Sequence, residues 1–451
     1  MSIQSLYATA RRSLLANQAA TNATGQNIAN ANTPGYTRRQ VQLRSIPPTR
    51  GGVFFHGIPN AGGGAGVESF NRVRSQILDV AVRKGQAGSG GAGESAALLA
   101  TLESQLAPDG GDGFLEAVSS FFDAWGDVAD APTDLGVRDA LLSAADRLAH
   151  TLQGADERLR AFGRSVETDL SATVDHTNQL LREVADLNGS IRTSNSQGAL
   201  DPDALDRRDA IIDELSALGP FTARYEDNGT VTLTIDGMVA VQDLEARPLR
   251  VTLPPETDVA SVYADGGSRP LRFGGSNDGA IGAQVYLLGS TLPDALASLN
   301  ALAAEIVNGV NGVHIGGTGL DGGTNRDFFD PAGTLAATIS VSSSLTSDGI
   351  AAGTGAPGDA SLATSIFGLG NATHESATRL LSGIGAKVRA STAEAQANAA
   401  YTDHAMALRD GVSKVSLDEE MANLIQYQQA YAASARVLET AESLFDTLLT
   451  L

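Results

Sequence analysis

Apolar and small residues recur at alternating steps of four and three along four long stretches, the spacing of one helix face. The first comprises Ile3, Tyr7, Ala10, Leu14, Asn17, Thr21, Thr24 and Ile28. Its second half is polar and small, so the predicted helix lacks stability alone. The second stretch runs through Leu141, Ala145, Leu148, Leu152, Ala155, Leu159, Phe162 and Val166, then more loosely through Leu170, Val174, Leu181, Val184, Leu187 and Ile191. A seam that long predicts a rod-like helix of roughly 90 Å, with Gly154, Gly163 and Gly189 marking bends or close contacts. The third carries Ala377, Leu381, Ile384, Val388, Ser391, Ala395, Asn398, Thr402 and Ala405. After Gly411 a last helix repeats the spacing to the final residue through Leu417, Met421, Leu424, Gln428, Tyr431, Ala435, Leu438, Glu442, Phe445 and Leu449. Shorter helices are predicted near Glu94–Leu106, Phe114–Ala129 and Ala283–His314.

Breaks separate these elements. In NIANANTPGYTRRQV (27–41), Pro34 disfavours helical geometry at Thr33, and Pro34-Gly35 suits the centre of a type II turn. Gly411 is expected to end the penultimate helix, and Ser416 with Glu419 matches a capping box. Residues 36–84 read as extended or irregular, with a glycine-rich loop at Gly62–Gly66. Between Gly219 and Phe273 the period becomes two: Val231, Leu233 and Ile235 alternate with Thr232, Thr234 and Asp236, and Asp236-Gly237 sits where a tight hairpin turn belongs. Glycine-rich loops with weak strand signal fill 315–357. The fold class expected is mainly α with a small β domain. Residues 1–32 and 415–451 form a discontinuous terminal coiled coil, 33–218 and 276–414 an elongated helical body, and 219–275 an inserted β domain.

A net charge of −21 repels nucleic acid and anionic membranes. The absence of cysteine excludes disulfides and thiolate metal sites. No apolar run approaches the ~18 residues of a membrane span. Arg11-Arg12 is not followed by an uninterrupted apolar core, so no cleaved signal peptide is expected. His56, His150, His176, His314, His374 and His404 make no two-histidine metal spacing, and exposed or helix-capping roles are expected for them, His314 at a helix C-terminus. Gly317, Gly319 and Gly322 satisfy G-x-G-x-x-G but follow a helix instead of a strand, which suits a loop and not a phosphate cradle. Asp321, Asn325 and Asp327 lack EF-hand spacing. The residues thus present no catalytic, cofactor or metal site, and a non-enzymatic structural role is expected.

The N-terminal SLYATARRSLLANQAATNATGQNIANANTPGYTRRQV resembles the axial proteins of the bacterial flagellum, and its Thr-Pro-Gly-Tyr element the hook-associated family at the first hook–filament junction. VSLDEEMANLIQYQQAYAASARVLETAESLFDTLL, LDRRDAIIDELSALGPF and LAAEIVNGVNGVHIGGTGLDGG resemble the same family. The resemblance implies export through the flagellar type III apparatus without signal cleavage, and an extracellular place at the hook–filament junction. It implies as partners the hook protein, the second junction protein, neighbouring copies in a ring, and an export chaperone on the C-terminal helix, with no nucleic acid and no membrane insertion. Another axial protein, hook or second junction protein, is the alternative. On this reading Ile3, Tyr7, Leu14, Ile28, Leu417, Met421, Leu424, Tyr431, Leu438, Phe445 and Leu449 form intersubunit seams. Asn32, Thr33, Pro34, Gly35 and Tyr36 turn the chain outward, with Tyr36 packed against the body as an anchor.

Overall fold

The computed structural model describes residues 3–46, 63–108, 112–198, 201–252, 260–275, 277–356 and 358–449. The side chains of Ile3 and Leu449 and the residues Gly62 and His56 lie outside the described residues. The fold is mainly helical, with small antiparallel sheets.

The chain opens with α1 (Ile3–Ala29), turns, and forms a hairpin of β1 (Arg39–Ser45) and β2 (Ala65–Arg72). α2 (Gln76–Leu106) and α3 (Asp112–Asp130) lead into α4 (Leu135–Ser196) and α5 (Pro202–Leu218). α4 is one unbroken helix of 62 residues. Its N-cap Asp134 accepts from the N–H of Gly136 (2.7 Å) and Val137. Leu141, Leu148, Leu152 and Leu159 are fully buried along it, as the repeat predicts.

α2 begins 18 residues before the expected start, and takes in the run KGQAGSGGAG. Local propensity reads that run as a loop, because glycine weakens a helix by about 1 kcal/mol per residue. Packing overrides that preference. A Cβ at Gly85 would lie 2.8 Å from Thr402 Oγ1, and one at Gly90 would lie 2.3 Å from the Ala217 carbonyl. The glycines let α2 lie directly on α5 and on α9 (Gly370–Ser413).

β3 (Phe221–Tyr225), β4 (Val231–Ile235), β5 (Met238–Gln242) and β6 (Glu245–Ala246) form one sheet in that order, and β7 (Leu249–Thr252) pairs with β8 (Ser261–Ala264). Asp236 (φ 47°) and Gly237 (φ 72°) make the expected tight turn, both in the left-handed region. Val231, Leu233 and Ile235 of β4 join the core, and α4 packs against β5, β6 and β7. Asn178 and Asn188 of α4 stitch the strands on: each side chain accepts from and donates to backbone, at Leu249 (2.7 and 2.9 Å) and Val231 (2.9 and 2.9 Å) respectively.

α6 (Gly279–Tyr286) passes through a π-helical turn at Leu287–Thr291 into α7 (Leu292–His314), which Pro293 opens. Among the described residues of 315–357 the strand signal comes to isolated bridges, such as Thr318 to Gly353, beside a short 3-10 turn at Ser347–Gly349. α8 (Ser361–Phe367), α9 and α10 (Leu417–Leu449) complete the chain. α9 runs past Gly411 to Ser413, so the break falls at residues 414–416. A glycine with no neighbour within 4 Å costs the helix only its entropy, and α9 tolerates that.

His314 is 1% exposed, contrary to the expected exposed or capping role. Its Nδ1 lies 2.8 Å from the Arg326 carbonyl and Nε2 accepts from the Ala351 N–H at 2.9 Å. Burial pulls its pKa down, so the neutral ring is a core hydrogen-bond bridge. The helix C-terminus that would favour a cation is outweighed by desolvation.

Candidate interface at the paired chain ends

α1 and α10 lie side by side and antiparallel. Ser434 Oγ bonds Ser13 Oγ (3.0 Å) and Asn27 Nδ2 bonds Glu420 Oε2 (2.9 Å), fourteen residues apart on each helix. The facing positions follow a seven-residue repeat: Ala10, Asn17 and Thr24, with Ala16 and Ala23, and Ala20 and Asn27, all buried on α1. On α10 the repeat is Glu420, Tyr427, Ser434 and Ala441. Small residues on the α1 side of the seam let α10 approach closely and leave little apolar area to bury.

The large apolar residues point elsewhere. Tyr7 is 40% exposed, Leu417 48%, Met421 57%, Tyr431 37% and Phe445 46%. Leu14, Ile28, Leu424 and Leu438 are half-buried. Leu15, Ile425, Val437 and Leu444, which the expected seam omitted, are also exposed. The seam predicted for α10 is therefore offset from the face that meets α1. Both faces follow the same step, so spacing alone does not distinguish them.

At the inner end of the pair the chain turns. Thr33–Tyr36 closes with Tyr36 N donating to the Thr33 carbonyl (3.2 Å), and Gly35 has φ 79°, as a type II turn requires. Asn32, Thr33, Pro34 and Gly35 are exposed. Asn27, only 1% exposed, organises the segment that leaves the turn. Its Oδ1 accepts from Tyr36 Oη (2.9 Å) and Arg39 N (3.0 Å); its Nδ2 donates to the Arg39 carbonyl (2.8 Å) and to Glu420. Every donor and acceptor of that amide is used, so helix end, turn, strand start and α10 are tied at one residue. Tyr36 thus anchors to its own helix end, with Arg39 over its ring at 4.9 Å; burial raises its pKa against the pull of Arg39 and keeps the donor proton in place.

Arg38 completes the tie, reaching Glu420 (2.8 Å) and Glu419 (2.9 Å). Ser416 Oγ accepts weakly from Glu419 N (3.5 Å), but the Glu419 carboxylate goes to Arg38 and does not return to the cap, so the expected capping box is half-formed.

Below the turn a ladder of charges meets α5. Asp203, Asp206, Asp209 and Asp213 are spaced about one turn apart. Arg39 bonds Asp203 and stands 4.0 Å from Asp206; Arg72 bonds Asp206 (2.7 Å) and Asp209 (2.9 Å). Arg74 bridges Asp209 (2.5 Å) and Asp79 (2.6 Å), and Arg83 and Arg409 hold Asp213 (2.9 and 2.5 Å). Burial would raise the Asp209 carboxyl, yet Arg74, Arg72 and Arg208 hold it below its ordinary value. Tyr225, donating to Asp209 (2.8 Å), is pushed up to about 12 by burial and by that carboxylate. Sequence reading missed this ladder. The acidic spacing on one helix was a visible signal, but its arginine partners come from four other segments.

Among the described residues no group of His, Asp and Glu is placed to hold a metal ion, and no helix is long and apolar enough to cross a membrane.

Both ends of the chain match models of flagellar axial proteins: "Flagella basal body rod protein" over residues 8–37 and "Flagellar basal body rod FlgEFG protein C-terminal" over 411–451. Residues 99–329 match the model "Flagellar hook-associated protein FlgK helical domain", about half of the chain, and the chain belongs to that family. Flagellar hook-associated protein 1 of Bacillus subtilis (strain 168) is 27% identical over 98% of this chain and 97% of its own length. The protein of that name from Salmonella typhimurium is 24% identical over 99% and 100%. The solved structure titled as the flagellar hook junction protein FlgK from Burkholderia pseudomallei aligns at a TM-score of 0.49 and 23% identity, covering 57% of this chain and 46% of that one.

Proposed function

We propose that this chain is a structural adaptor at the hook–filament junction, assembling through its terminal helices into a ring of copies. Family membership supports the flagellar role. The single structural observation that carries the assembly mechanism is the orientation of α1 and α10: they pair through a largely small and polar seam, with Glu420 and Tyr427 on the α10 side, and turn Tyr7, Leu417, Met421, Tyr431 and Phe445 outward. Burying one large apolar side chain is worth about 1.5–3 kcal/mol, so a row of them is a strong association surface. With Leu14, Ile28, Leu424 and Leu438 at its margins, this row is the intersubunit seam.

Residues 1–32 and 415–451 act as the assembling unit, residues 33–218 and 276–414 as the spacer body and 219–275 as an outer β unit. Asn32–Tyr36 direct the chain from one to the other. Hook protein below and a second junction protein above are the neighbours in this reading. An export chaperone takes the C-terminal helix beforehand, and the chain leaves the cell through the flagellar export route without signal cleavage. The chain is not an enzyme in this reading.

The test is Met421→Asp with Phe445→Asp. Both side chains are exposed in the single chain, so purified protein should keep its helicity and melting temperature. A strain carrying the pair should secrete the protein and shed its filament subunits into the medium. Normal filaments on that strain would overturn the seam assignment.

A further inference from the structure

The helical body carries an exposed apolar patch of its own, at the end nearest the terminal pair. Ile77 is 82% exposed and Val80 62%, both in the first two turns of α2. Tyr401, Leu408 and Val412, at steps of seven and four, form one exposed stripe of the adjoining α9. Val80 and Lys84 line a groove together with Tyr401, so the two stripes lie on the same side of the α2–α9 pair. Large apolar residues clustered in water mark a contact surface.

The other side of the same pair is hollow. A cleft of about 600 Å³ opens between the 31–37 turn and α5, with Gln86 of α2 and Ser413 of α9 in its lining. Gln86 follows Lys84 by two residues, about 200° round the helix, so cleft and patch stand back to back at one level of the molecule. Ala31, Pro34, Ala210 and Val415 give the cleft an apolar part. The rest of its lining holds four carboxylates against three cations and is slightly acidic. Gln86 Oε1 and Ser413 Oγ are buried there with no hydrogen-bond partner among the described residues.

We propose that the patch of one copy seats in the cleft of the next, Ile77 and Val80 against the apolar lining and Lys84 at the acidic rim. This inference rests on the ring reading above and gives the ring a second contact, outside the terminal helices. A ring closes only through head-to-tail contacts, in which each copy offers one surface and receives with a different one. Patch and cleft are two such surfaces on opposite sides of one helix pair, at the equal height that neighbours round an axis require. Their charges agree as well. Lys84 is one of three lysines in a chain of net charge −21, and it makes no ion pair among the described residues. Asp410, exposed in the cleft lining, makes none either. The ammonium of Lys84 also brings donors to a cleft whose Gln86 and Ser413 oxygens lack them. A patch-to-patch contact, by contrast, is two-fold and closes at the dimer.

The absence of native cysteine makes the test clean. Val80→Cys lies on the patch and Asn32→Cys on the turn wall of the cleft, both at exposed positions. Hook–filament structures isolated from a strain carrying both, treated with a bismaleimide, should give dimers, trimers and longer multimers of this chain on a denaturing gel. Each single variant should stay monomeric. Ile77→Asp added to the cysteine pair should remove most of the ladder and leave the melting temperature of the purified chain unchanged. Monomer alone from the double variant, dimers from Val80→Cys alone, links to a different protein, or a ladder indifferent to Ile77→Asp would each overturn the proposal. The seam is judged separately: filament loss with Met421→Asp and Phe445→Asp reports on the terminal helices whatever the ladder shows.

Discussion

α4 and the terminal pair obey the same seven-residue repeat and use it for opposite ends. On α4 the repeat positions are Leu141, Leu148, Ala155 and Phe162, beside Ala145, Leu152, Leu159 and Val166, all buried within the chain. On α1 and α10 the inward positions are Ala10, Asn17 and Thr24, against Glu420, Tyr427, Ser434 and Ala441. The first set fills its own core. The second holds two helices in register through hydrogen bonds and leaves the large side chains of the same helices outside. A period therefore reports that a face exists; the size of the residues on that face tells whether the chain can satisfy it alone.

The largest test of this contrast is to empty a body position. Leu152→Ala should cost 2–5 kcal/mol, about the range for a buried leucine, and lower the melting temperature of the isolated chain. Leu15→Ala, on an exposed site of α1, should change stability by less than about 0.5 kcal/mol while weakening attachment of filaments. If calorimetry gave equal losses, the chain ends would be as self-sufficient as the body.

Next comes the tie between the regions. Asn27→Ala leaves the Arg39 backbone and Tyr36 without their partner and should cost about 1–3 kcal/mol. The loss should appear in hydrogen exchange at residues 36–40 and not in the melting of α4. Similar in size but confined to the body, Gly85→Val forces a side chain onto Thr402 and should loosen α2 from α9 by about 1–3 kcal/mol, read by exchange along both helices.

The smallest effect is one of pH. Burial depresses the pKa of His314 from 6.5, so the unfolded state takes up a proton that the folded state refuses. Its contribution is complete above pH 6.5 and declines as pH falls through the depressed value. His314→Gln, which keeps hydrogen-bonding groups but cannot titrate, should flatten the fall in melting temperature between about pH 7.5 and 5.5, compared with the parent chain.

Much of the architecture was legible in the residues. The long helix, the terminal helices, the Pro34-Gly35 turn and the Asp236-Gly237 hairpin all follow from period and turn chemistry. The first half of α2 was not, because the glycines that weaken it locally are the ones that admit α5 and α9. Nor was the role of the buried asparagines. Asn27, Asn178, Asn188 and Asn311 each bond backbone N–H and C=O groups of a distant segment, standing in for a strand or helix partner. Their partners lie 12 to 71 residues away, beyond any local pattern.

What the sequence determined by itself was where helices run and which stripes along them repel water, since both depend on spacing within a few residues. Which stripe meets its own chain and which is left for another was decided only in three dimensions. Two neighbouring faces of α10 share one period, and packing against the small residues of α1 decides which of them lies inside. The charged joint is of the same kind: α5 supplies the aspartates in order, but only the packed chain brings Arg39, Arg72, Arg74, Arg83 and Arg409 to them, because a carboxylate in water has no preferred cation.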